Sequence, residues 1–586
     1  MPNKNQSNQE YLEHLRHSAA HLLAAAVMEL WPDTKRTIGP AIENGFYFDF
    51  EFSVPISDAD LPKIEEKMRQ IVKNWNEFKK EEVGENEALE RIKGNQYKEE
   101  LIAEIVQKGE PITFYKSGNY EDPCRGGHVE NPSQELQHFK LLSLAGAYWR
   151  GDEKNTMLTR IYGTAFPSAA ELEDFLKMQE EAKLRDHRKL GRELELFFID
   201  EMVGKGLVMW LPKGTIVRDE IEKLVREKEA VGGYQRVVTP HIAKEELYLT
   251  SGHLPYYKDS MYPPMVMDDG TYYMKAMNCP HHHRIFGHKP HSYKEMPIRL
   301  AEYGTCYRNE LSGTLAGLLR VRALTMNDAH MYVRKDQIKE EFAGVLRLTQ
   351  EYFDIFGLKN YWFRLSKWDP KNTEKYINEP ENWEYSQQVL REVLDEMKVE
   401  YVEVDDEAAF YGPKVDVQFK SVIGREETMS TIQLDFLAKA RFGLSYVDEN
   451  GQDNNEVFVI HRAPLSVHER FLAFLIEHYG GAFPVWLSPV QVKVLPIADR
   501  HQEYAEKVAT ALREVGARVE VDGRSERLQA KIRDAQMMKI PYMLVVGDKE
   551  AELDQVAVRN RDGGSQEVMS IQDFNQKIAE KIKERA

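Results

Sequence analysis

The chain has 586 residues, 42% of them hydrophobic and 30% charged, and its formal net charge is −18. This length and composition indicate a globular protein with three or four domains, and three cysteines are too few for a disulfide framework. No apolar run of about 18 residues occurs and the polar start lacks the apolar core of a signal peptide. These features exclude a membrane-spanning or secreted protein, so we expect a cytoplasmic one.

The N-terminal part contains two pairs of potential ligand residues. Residues 1–10 are predicted to be disordered, and an Ala- and Leu-rich helix follows with His17 and His21 on one face. Cys124 and His128 lie in the glycine-rich turn CRGGH. The four residues could form a Cys-His₃ zinc site, a hydrolytic pocket or two unrelated pairs, and spacing alone favours a structural histidine pair.

The middle of the chain contains several arginines in strand and helix patterns. A charged linker helix is predicted at residues 166–200, and a long helix then leads to a strand ending at Pro240. Arg308 and Glu310 are predicted to lead a strand, with Arg320 on the returning one. Read without further context, such residues form surface salt bridges on half-buried strands.

Cys279, His330 and His461 form a candidate metal site. They stand in the stretches KAMNCPHHH, RVRALTMNDAHMY and VFVIHRAPLSVHERF. One thiolate and two imidazoles suit a tetrahedral Zn²⁺ that keeps a fourth position open for a substrate. The spacing alone does not establish this site, because most such scattered residues are not ligands.

The C-terminal hundred residues change character. From VQVKVLPI onward, strand patterns alternate with helical ones such as HQEYAEKVATALREVG. This alternation predicts a small α/β domain.

Three of these stretches together resemble the motifs of class II aminoacyl-tRNA synthetases. The helix and strand ending at Pro240 resemble motif 1, CYRNELSGTLAGLLRVRALTMNDAH resembles motif 2, and APLSVHERFLAFLIEHYGG resembles motif 3 with Arg470 at its helix start. Within this class the chain is similar to bacterial threonyl-tRNA synthetases from about His17 to its C-terminus. The resemblance implies a multidomain α+β fold with an antiparallel-sheet catalytic core, an N-terminal α/β editing domain and a C-terminal α/β anticodon-binding domain.

The resemblance also implies domain limits and partners. The expected segments are a disordered N-terminus at 1–10, an editing domain at 11–165, a linker helix at 166–200, a catalytic domain at 201–486 and an anticodon-binding domain at 487–586. The implied partners are tRNA(Thr), ATP, L-threonine and a second copy of the chain, which forms a homodimer through motif 1. The net charge of −18 disfavours a general nucleic-acid binder, but local basic runs such as KLRDHRKLGR allow tRNA binding. No membrane is expected.

The family's synthetic residues map onto this sequence one by one. In the family, the residue matching Arg308 bridges the α-phosphate of ATP and the amino-acid carboxylate, and that matching Arg470 contacts the γ-phosphate. One Zn²⁺ per subunit, held by Cys279, His330 and His461, grips threonine, and Mg²⁺ accompanies ATP. Threonine contacts are implied for Asp328 and Tyr411, and His253 is implicated in transfer to the tRNA. The implied ATP-binding positions are Met277, Arg308, Glu310, Arg320, Gln433 and Arg470.

The family also edits its product, and the reason is physical. A site that must bind the threonine hydroxyl rejects valine strongly, whereas serine lacks only one methyl group, worth about 1–3 kcal/mol. The editing domain of the family hydrolyses the resulting seryl-tRNA, and its metal occupancy is left open here. The implied editing positions are His17, His21, Lys98, Asp122, Cys124 and His128, and the implied anticodon-reading positions are Glu550, Arg559 and Lys539.

Some positions depart from the family pattern. Met326 stands where glutamine is usual, Ser466 and Val467 stand where glycine and serine are usual, and Lys539 replaces an arginine. Because the editing stretch begins near His17, we expect no TGS module ahead of it. Other readings are a paralogue with a dead active site, a free-standing editing hydrolase, or a synthetase for serine or proline. The intact motif arginines and Cys-His-His set argue against the first, the presence of catalytic and anticodon regions against the second, and the Cys-His-His set against the third.

Overall fold

The computed structural model describes residues 4–421, 424, 426–563 and 566–585. The chain divides into two compact units, Met1–Glu180 and Glu181–Ala586, and their boundary falls inside one helix, α6. Among the described residues, no helix is both long and apolar enough to cross a lipid bilayer.

The first unit combines helices with two antiparallel sheets. Its helices are α1 (Lys4–Leu30), α2 (Leu61–Ile71), α3 (Glu85–Arg91), α4 (Gln96–Gln107), α5 (Pro132–Glu135) and the start of α6 (Ala169–Arg185). Its strands are β1 (Lys35–Arg36), β2 (Ala41–Ile42), β3 (Gly45–Glu51), β4 (Lys79–Val83), β5 (Ile112–Ser117), β6 (Tyr120–Pro123), β7 (His138–Tyr148) and β8 (Met157–Phe166).

Helix α1 is the centre of this unit. One sheet has the order β1-β3-β8-β7, with β2 also paired to β3, and the other has the order β4-β5-β6. Leu15, Leu22 and Leu23 of α1 pack in one core with Phe46 and Phe48 of β3. Burial of this apolar side fixes α1 and so places its histidines.

Two predictions about local structure are wrong. The segment 1–10 is not disordered throughout, because α1 already begins at Lys4 and no proline or glycine interrupts it before Leu30. The segment 166–200 is not one linker helix but contains α6, a second helix α7 (His187–Glu193) and the strand β9 (Phe197–Phe198). The break occurs at Asp186, whose side chain caps α7 by accepting from Arg188 N, as aspartate favours.

The first and larger part of the second unit contains both helices and strands. Its further helices are α8 (Pro212–Val231), α9 (Glu245–Ser251), α10 (His253–Tyr256), α11 (Cys279–Phe286), α12 (Ile338–Ile355), α13 (Pro380–Glu396), α14 (Ala438–Phe442) and α15 (His468–Tyr479). Its further strands are β10 (Met209–Trp210), β11 (Gln235–Arg236), β12 (Ile242–Lys244), β13 (Met265–Met267), β14 (Gly270–Met274), β15 (Ile298–Tyr307), β16 (Ala323–Arg334), β17 (Tyr361–Ser366), β18 (Tyr401–Val404), β19 (Lys414–Lys420), β20 (Glu426–Asp435), β21 (Tyr446–Val447), β22 (Asp453–Asn454) and β23 (Val457–Arg462).

An eight-stranded sheet organises this region. Its order is β11-β15-β16-β23-β20-β19-β17-β18, and all its pairs are antiparallel except the two outermost. Apolar residues of α8, α12, α13 and α15 pack with the sheet in one core. The predicted antiparallel-sheet core is confirmed.

The C-terminal part of the second unit has the predicted α/β pattern. Its helices are α16 (Gln502–Glu514), α17 (Leu528–Met537), α18 (Asp548–Leu553) and α19 (Ile571–Lys583), and its strands are β24 (Val492–Pro496), β25 (Val519–Val521), β26 (Tyr542–Val546), β27 (Gln555–Asn560) and β28 (Glu567–Ser570). The sheet order is β25-β24-β26-β27-β28, with β24 parallel to β25 and β26.

Candidate active site

The three candidate metal ligands meet on the central sheet. Cys279 is the first residue of α11, His330 lies on β16 and His461 on β23, directly opposite His330 in the antiparallel register. All three are buried, and one potential ligand atom from each lies within 4.8 Å of the others. The structure therefore brings together three residues that are far apart in the sequence.

His461 is held by a carboxylate. Its Nε2–H donates to Asp435 Oδ2 at 3.1 Å, while Asp435 Oδ1 accepts from the backbone N–H groups of Leu437 and Ala438. A neutral histidine that donates through Nε2 keeps the lone pair of Nδ1 free. Asp435 thus fixes the tautomer and ring orientation in which His461 can bind a metal through Nδ1.

His330 is held by a second histidine. His330 Nδ1 lies 2.8 Å from His282 Nδ1, and His282 Nε2 lies 3.2 Å from Glu302 Oε2. Because the carboxylate accepts from His282 Nε2–H, Nδ1 of a neutral His282 accepts in turn from His330 Nδ1–H. This chain of hydrogen bonds leaves the lone pair of His330 Nε2 for a metal.

The electrostatics of the site suit a bound cation. Burial lowers the pKa of His330 well below its usual value, so the ring is neutral and can act as a ligand. Burial raises the pKa of the Cys279 thiol, and nearby Asp328 and Asp435 raise it further. A bound divalent metal removes a thiol proton, so this donor set fits Zn²⁺.

Other predicted substrate residues surround this set. Asp328 Oδ2 accepts a hydrogen bond at 3.1 Å from Nδ2 of Asn278, the residue before Cys279. Tyr411 stacks on His461 with ring centroids 5.3 Å apart and donates its hydroxyl to Gln433. His253 Nε2 lies 3.9 Å from Cys279 Sγ, and its Nδ1 is bonded to Ser251 Oγ.

A cavity of about 780 Å³ lies beside the metal ligands. It extends to Ala463, two residues beyond His461, and is lined by four arginines. Arg308 Nε is buried and has no hydrogen-bond partner among the described residues, so this donor is available to a ligand. Predicted residues that line the cavity are Arg308, Glu310, Arg320 and Arg470.

Local structure explains where these arginines stand. Arg308 follows β15 and Arg320 precedes β16, so both lie in the loop between these strands. The prediction that they lie on the strands themselves is wrong. Arg320 donates to Glu310 Oε2 at 2.8 Å across this loop. Arg470, in the first turn of α15, donates to the Leu319 carbonyl at 3.3 Å.

Two predicted ATP-binding residues lie elsewhere. Met277 packs against a small cluster that includes Tyr248, and Gln433 is directly opposite His461 in the sheet, so neither lines the large cavity. Met326, Ser466 and Val467 do line it. Ser466 has φ 56°, in the left-handed region that favours glycine, which agrees with the glycine usual at this position of the family.

A second candidate site lies in the first unit. His17, His21, Cys124 and His128 each place a potential ligand atom within 4.8 Å of the others. His17 Nδ1–H donates to the Gly127 carbonyl at 3.2 Å, so Nε2 of a neutral ring carries a lone pair, and this atom lies 3.5 Å from Cys124 Sγ. Burial lowers the pKa of His128 to about 3 and raises that of Cys124 to about 11. At neutral pH the His128 ring is therefore uncharged and the Cys124 side chain is a thiol.

An ion pair adjoins this cluster. Lys98 Nζ and Asp122 Oδ2 are 2.7 Å apart, and both side chains are only 3% exposed. A cavity of about 470 Å³ is lined by both residues together with His17, His21 and Cys124. The structure thus brings the predicted editing residues into one place, with His128 behind the cavity wall.

The predicted anticodon-reading residues are dispersed. Glu550 Oε2 accepts from Gly547 N at 3.0 Å and so caps its own helix, α18. Glu550 follows β26, whereas Lys539 precedes it and Arg559 pairs with Met543 of that strand. Lys539 and Glu550 therefore lie towards opposite ends of β26.

Comparison with known proteins adds independent information. The tRNA synthetase class II core domain (G, H, P, S and T) matches residues 265–479, the anticodon binding domain matches residues 491–581, and the threonyl and alanyl tRNA synthetase second additional domain matches residues 112–162. The threonine–tRNA ligase of Anoxybacillus flavithermus is 51% identical over 577 residues, covering 98% of this chain and 89% of that protein. The chain belongs to the threonine–tRNA ligase family.

Further relatives agree with this assignment. Threonine–tRNA ligase 1 of Bacillus subtilis is 50% identical over 581 residues, covering 99% of this family member and 90% of the relative. The crystal structure of the RNA binding domain of threonyl-tRNA synthetase from Cryptosporidium parvum Iowa II has 35% identity and a TM-score of 0.64, covering 67% of this chain and 98% of that one. The family resemblance and the fold class predicted from the sequence are both confirmed.

Several site residues of this threonine–tRNA ligase family member were not predicted from the sequence. Asp435, His282 and Glu302 orient the candidate metal ligands, and Arg36 contacts Asp122. A partial signal existed for two of them. His282 belongs to the run of three histidines that follows Cys279 and Pro280, and Asp435 lies two positions after Gln433, on the same face of its strand.

Proposed function

We propose that this chain ligates L-threonine to tRNA(Thr) in two steps through a threonyl-adenylate. The observation that carries the proposal is the Cys279, His330 and His461 set, which lies within a class II core beside a cavity lined by Arg308, Arg320 and Arg470. In the first step a carboxylate oxygen of threonine bonds to the α-phosphorus of ATP and pyrophosphate leaves. In the second step a ribose hydroxyl of the tRNA bonds to the carbonyl carbon and AMP leaves.

The arginines account for the ATP chemistry. The guanidinium groups of Arg308, Arg320 and Arg470 around one cavity suit a triphosphate, which the family binds together with Mg²⁺. Arg308 is proposed to contact the α-phosphate and the threonine carboxylate, and Arg470 to contact the γ-phosphate. Met277 lies two residues before Cys279, and Gln433 lies opposite His461 in the sheet. Both are proposed to complete the ATP site.

The metal ligands account for the amino acid. Zn²⁺ held by Cys279, His330 and His461, one ion per subunit, would act as a Lewis acid for the amino group and side-chain hydroxyl of threonine. Asp328 is proposed to receive the amino group and Tyr411 to bound the pocket. Burial lowers the pKa of His253 to about 3, so its ring is neutral, and we propose that it lies near the ribose hydroxyl of the tRNA during transfer.

Pyrophosphate exchange with a panel of amino acids tests the proposal. We expect threonine to be the best substrate and valine to be rejected by about 10⁴-fold or more, because its methyl group cannot replace the hydroxyl. Serine should lose only about 10- to 200-fold. A preference for serine or proline over threonine would identify a different specificity.

The weak rejection of serine motivates the second proposed activity, hydrolysis of seryl-tRNA(Thr) in the first unit. Water bonds to the ester carbonyl carbon, the bond to the tRNA ribose breaks, and the ribose oxygen takes a proton. His17, His21, Cys124 and His128 form the reaction cluster, and Lys98 and Asp122 line the adjacent cavity.

We predict that the double variant His17→Ala, His21→Ala deacylates preformed seryl-tRNA at least about 10²-fold more slowly, because groups that take part in proton transfer are removed. Its charging of threonine should be normal, since the synthetic site lies in the other unit. His138→Ala, a histidine of β7 outside the cluster, is the matched control. Undiminished deacylation by a folded double variant would show that the hydrolytic site is elsewhere.

We predict that Asp435→Asn weakens zinc binding by about 10- to 100-fold, since the carboxylate that orients His461 is lost. Competition with a chromogenic chelator measures this directly, without an activity assay. Unchanged affinity would remove Asp435 from the metal site. Asp416→Asn serves as a control, because Asp416 is a fully buried aspartate of the same sheet that pairs with Arg364 and Lys414.

The remaining assignments follow from this activity. We propose an editing domain at 11–165, a catalytic domain at 201–486 and an anticodon-binding domain at 487–586, with Glu550, Arg559 and Lys539 facing the tRNA.

Val231 and Val238 are 90% and 87% exposed at the end of α8 and before Pro240, which supports a homodimer through this surface. Because tRNA charging serves translation, we infer a cytoplasmic location. Light scattering on the purified chain tests the dimer.

A further inference from the structure

Arg36 forms hydrogen bonds with β6, the strand that carries Asp122. It lies on β1, opposite Phe50 of β3, and its Nε donates to Asp122 Oδ1 at 2.7 Å. Its NH2 group donates to the Glu121 carbonyl at 2.9 Å. The planar guanidinium thus binds two successive residues of β6, a contact that a single ammonium group cannot reproduce.

Asp122 is consequently shared between two cations. Its Oδ1 accepts from Arg36 and its Oδ2 from Lys98, each at 2.7 Å. The carboxylate cannot rotate without breaking one of these bonds. Two positive charges and one negative charge leave this buried group with a net charge of +1 at the wall of the 470 Å³ cavity.

Arg36 also covers the other residue of β6 that faces this site. Its guanidinium carbon lies 5.3 Å from the ring centroid of Tyr120, which is on the same face of the strand as Asp122. Tyr120 in turn contacts His21 edge-on, with ring centroids 5.8 Å apart. Arg36 is therefore connected to both the ion pair and the histidine cluster.

The backbone of Arg36 is tied to the helix that carries Lys98. Asn95 Nδ2 donates to the Arg36 carbonyl at 2.8 Å, and Asn95 Oδ1 accepts from Lys98 N at the start of α4. The position of Lys98 thus depends on the same short strand. Burial lowers the pKa of Lys98, the Asp122 carboxylate raises it, and Arg36 lowers it again, so Arg36 offsets part of the neutralisation by Asp122.

We propose that Arg36 is a positioning residue of the hydrolytic site, which holds Asp122 so that the Lys98 ammonium group is oriented towards the ester end of seryl-tRNA. Arg36 itself does not line the cavity, so it acts through Asp122 and Lys98. This inference rests on the proposed hydrolysis of seryl-tRNA.

Single-turnover and steady-state deacylation of preformed seryl-tRNA(Thr) test the role. We expect Arg36→Met to lower kcat by about 10- to 100-fold, since small displacements of a reactive group have effects of this size, with a smaller change in KM. Arg36→Lys should recover part of the loss, because an ammonium group can pair with Asp122 but cannot also reach the Glu121 carbonyl. The matched control is Arg69→Met, because Arg69 also donates to backbone carbonyls and covers a phenylalanine ring, yet does not touch Asp122.

A double-mutant cycle separates positioning from a structural role. If Arg36 acts through Asp122, the double variant Arg36→Met, Asp122→Asn should deacylate within about twofold of Asp122→Asn alone. Multiplied losses in the cycle, or equal deacylation by Arg36→Met and Arg69→Met, would overturn the inference. Thermal melting and threonine-dependent pyrophosphate exchange check the fold, and if Arg36→Met melts early, the comparison of Arg36→Lys with wild type decides.

The wild-type result distinguishes failure of the proposed editing activity from failure of the proposed role of Arg36. A wild-type chain that does not hydrolyse seryl-tRNA contradicts the proposed editing activity and this inference with it. A wild-type chain that hydrolyses it, together with an unaffected Arg36→Met variant, contradicts only the role of Arg36.

Discussion

Replacement of Arg308 by alanine is expected to lower threonine-dependent pyrophosphate exchange by about 10³-fold or more. Arg308 lines the large cavity with a buried Nε that has no hydrogen-bond partner among the described residues, so the side chain is positioned for a ligand. Loss of one preorganised donor to a developing negative charge costs about 10²- to 10³-fold, and a guanidinium group that contacts both reactants contributes more than one donor. The free energy of unfolding should change little, because Arg308 is half-buried at the end of a strand.

The control for this experiment is Arg334→Ala. Arg334 lies at the far end of β16, outside the cavity, and pairs with the exposed Asp336. We expect it to retain exchange activity within a few-fold of wild type, since exposed ion pairs contribute only about 0.2–1 kcal/mol. Near-normal exchange by Arg308→Ala with an unchanged circular dichroism spectrum would remove Arg308 from the adenylation site.

Replacement of Cys279 by serine is expected to remove the metal and threonine activation together. A neutral hydroxyl is a poor ligand for Zn²⁺ compared with a thiolate, and only two histidines would remain. We expect the purified variant to contain far less than one zinc per chain by atomic absorption, and its threonine-dependent exchange to fall by about 10²-fold or more. The second effect follows because the hydroxyl of threonine loses its binding partner.

Cys306 provides the matched control. It is fully buried, contacts Asn278 Oδ1 at 3.5 Å, and is not one of the candidate ligands. Cys306→Ser can keep this hydrogen bond and should retain both zinc and activity. Full adenylate formation by a zinc-free preparation of the wild-type chain would contradict the role of the metal.

The parts of the molecule that were predictable are those whose signals are continuous in the sequence. The stretch around Arg308 and the helix start at Arg470 could be recognised because each motif contains its own context. The loop position of Arg308 could not be predicted, because strand propensity does not show where the pairing of β15 and β16 ends.

The supporting residues were not predictable for a different reason. Glu302 of β15 contacts His282 because helix α11 packs against that strand, and Asp435 contacts His461 because β20 pairs with β23. Arg36 reaches Asp122 across 86 positions of sequence. Alternation along one strand shows which side chains share a face, but it does not identify the partner strand.

The direct pairing of His330 with His461 has a consequence for how the central sheet is assembled. Side chains alternate between the two faces of a strand, so a slip of one residue between β16 and β23 would turn one of the two imidazoles to the opposite face. No single ion could then hold both rings together with Cys279. An ion bound at this site would therefore stabilise this alignment of the two strands relative to alignments shifted by one residue.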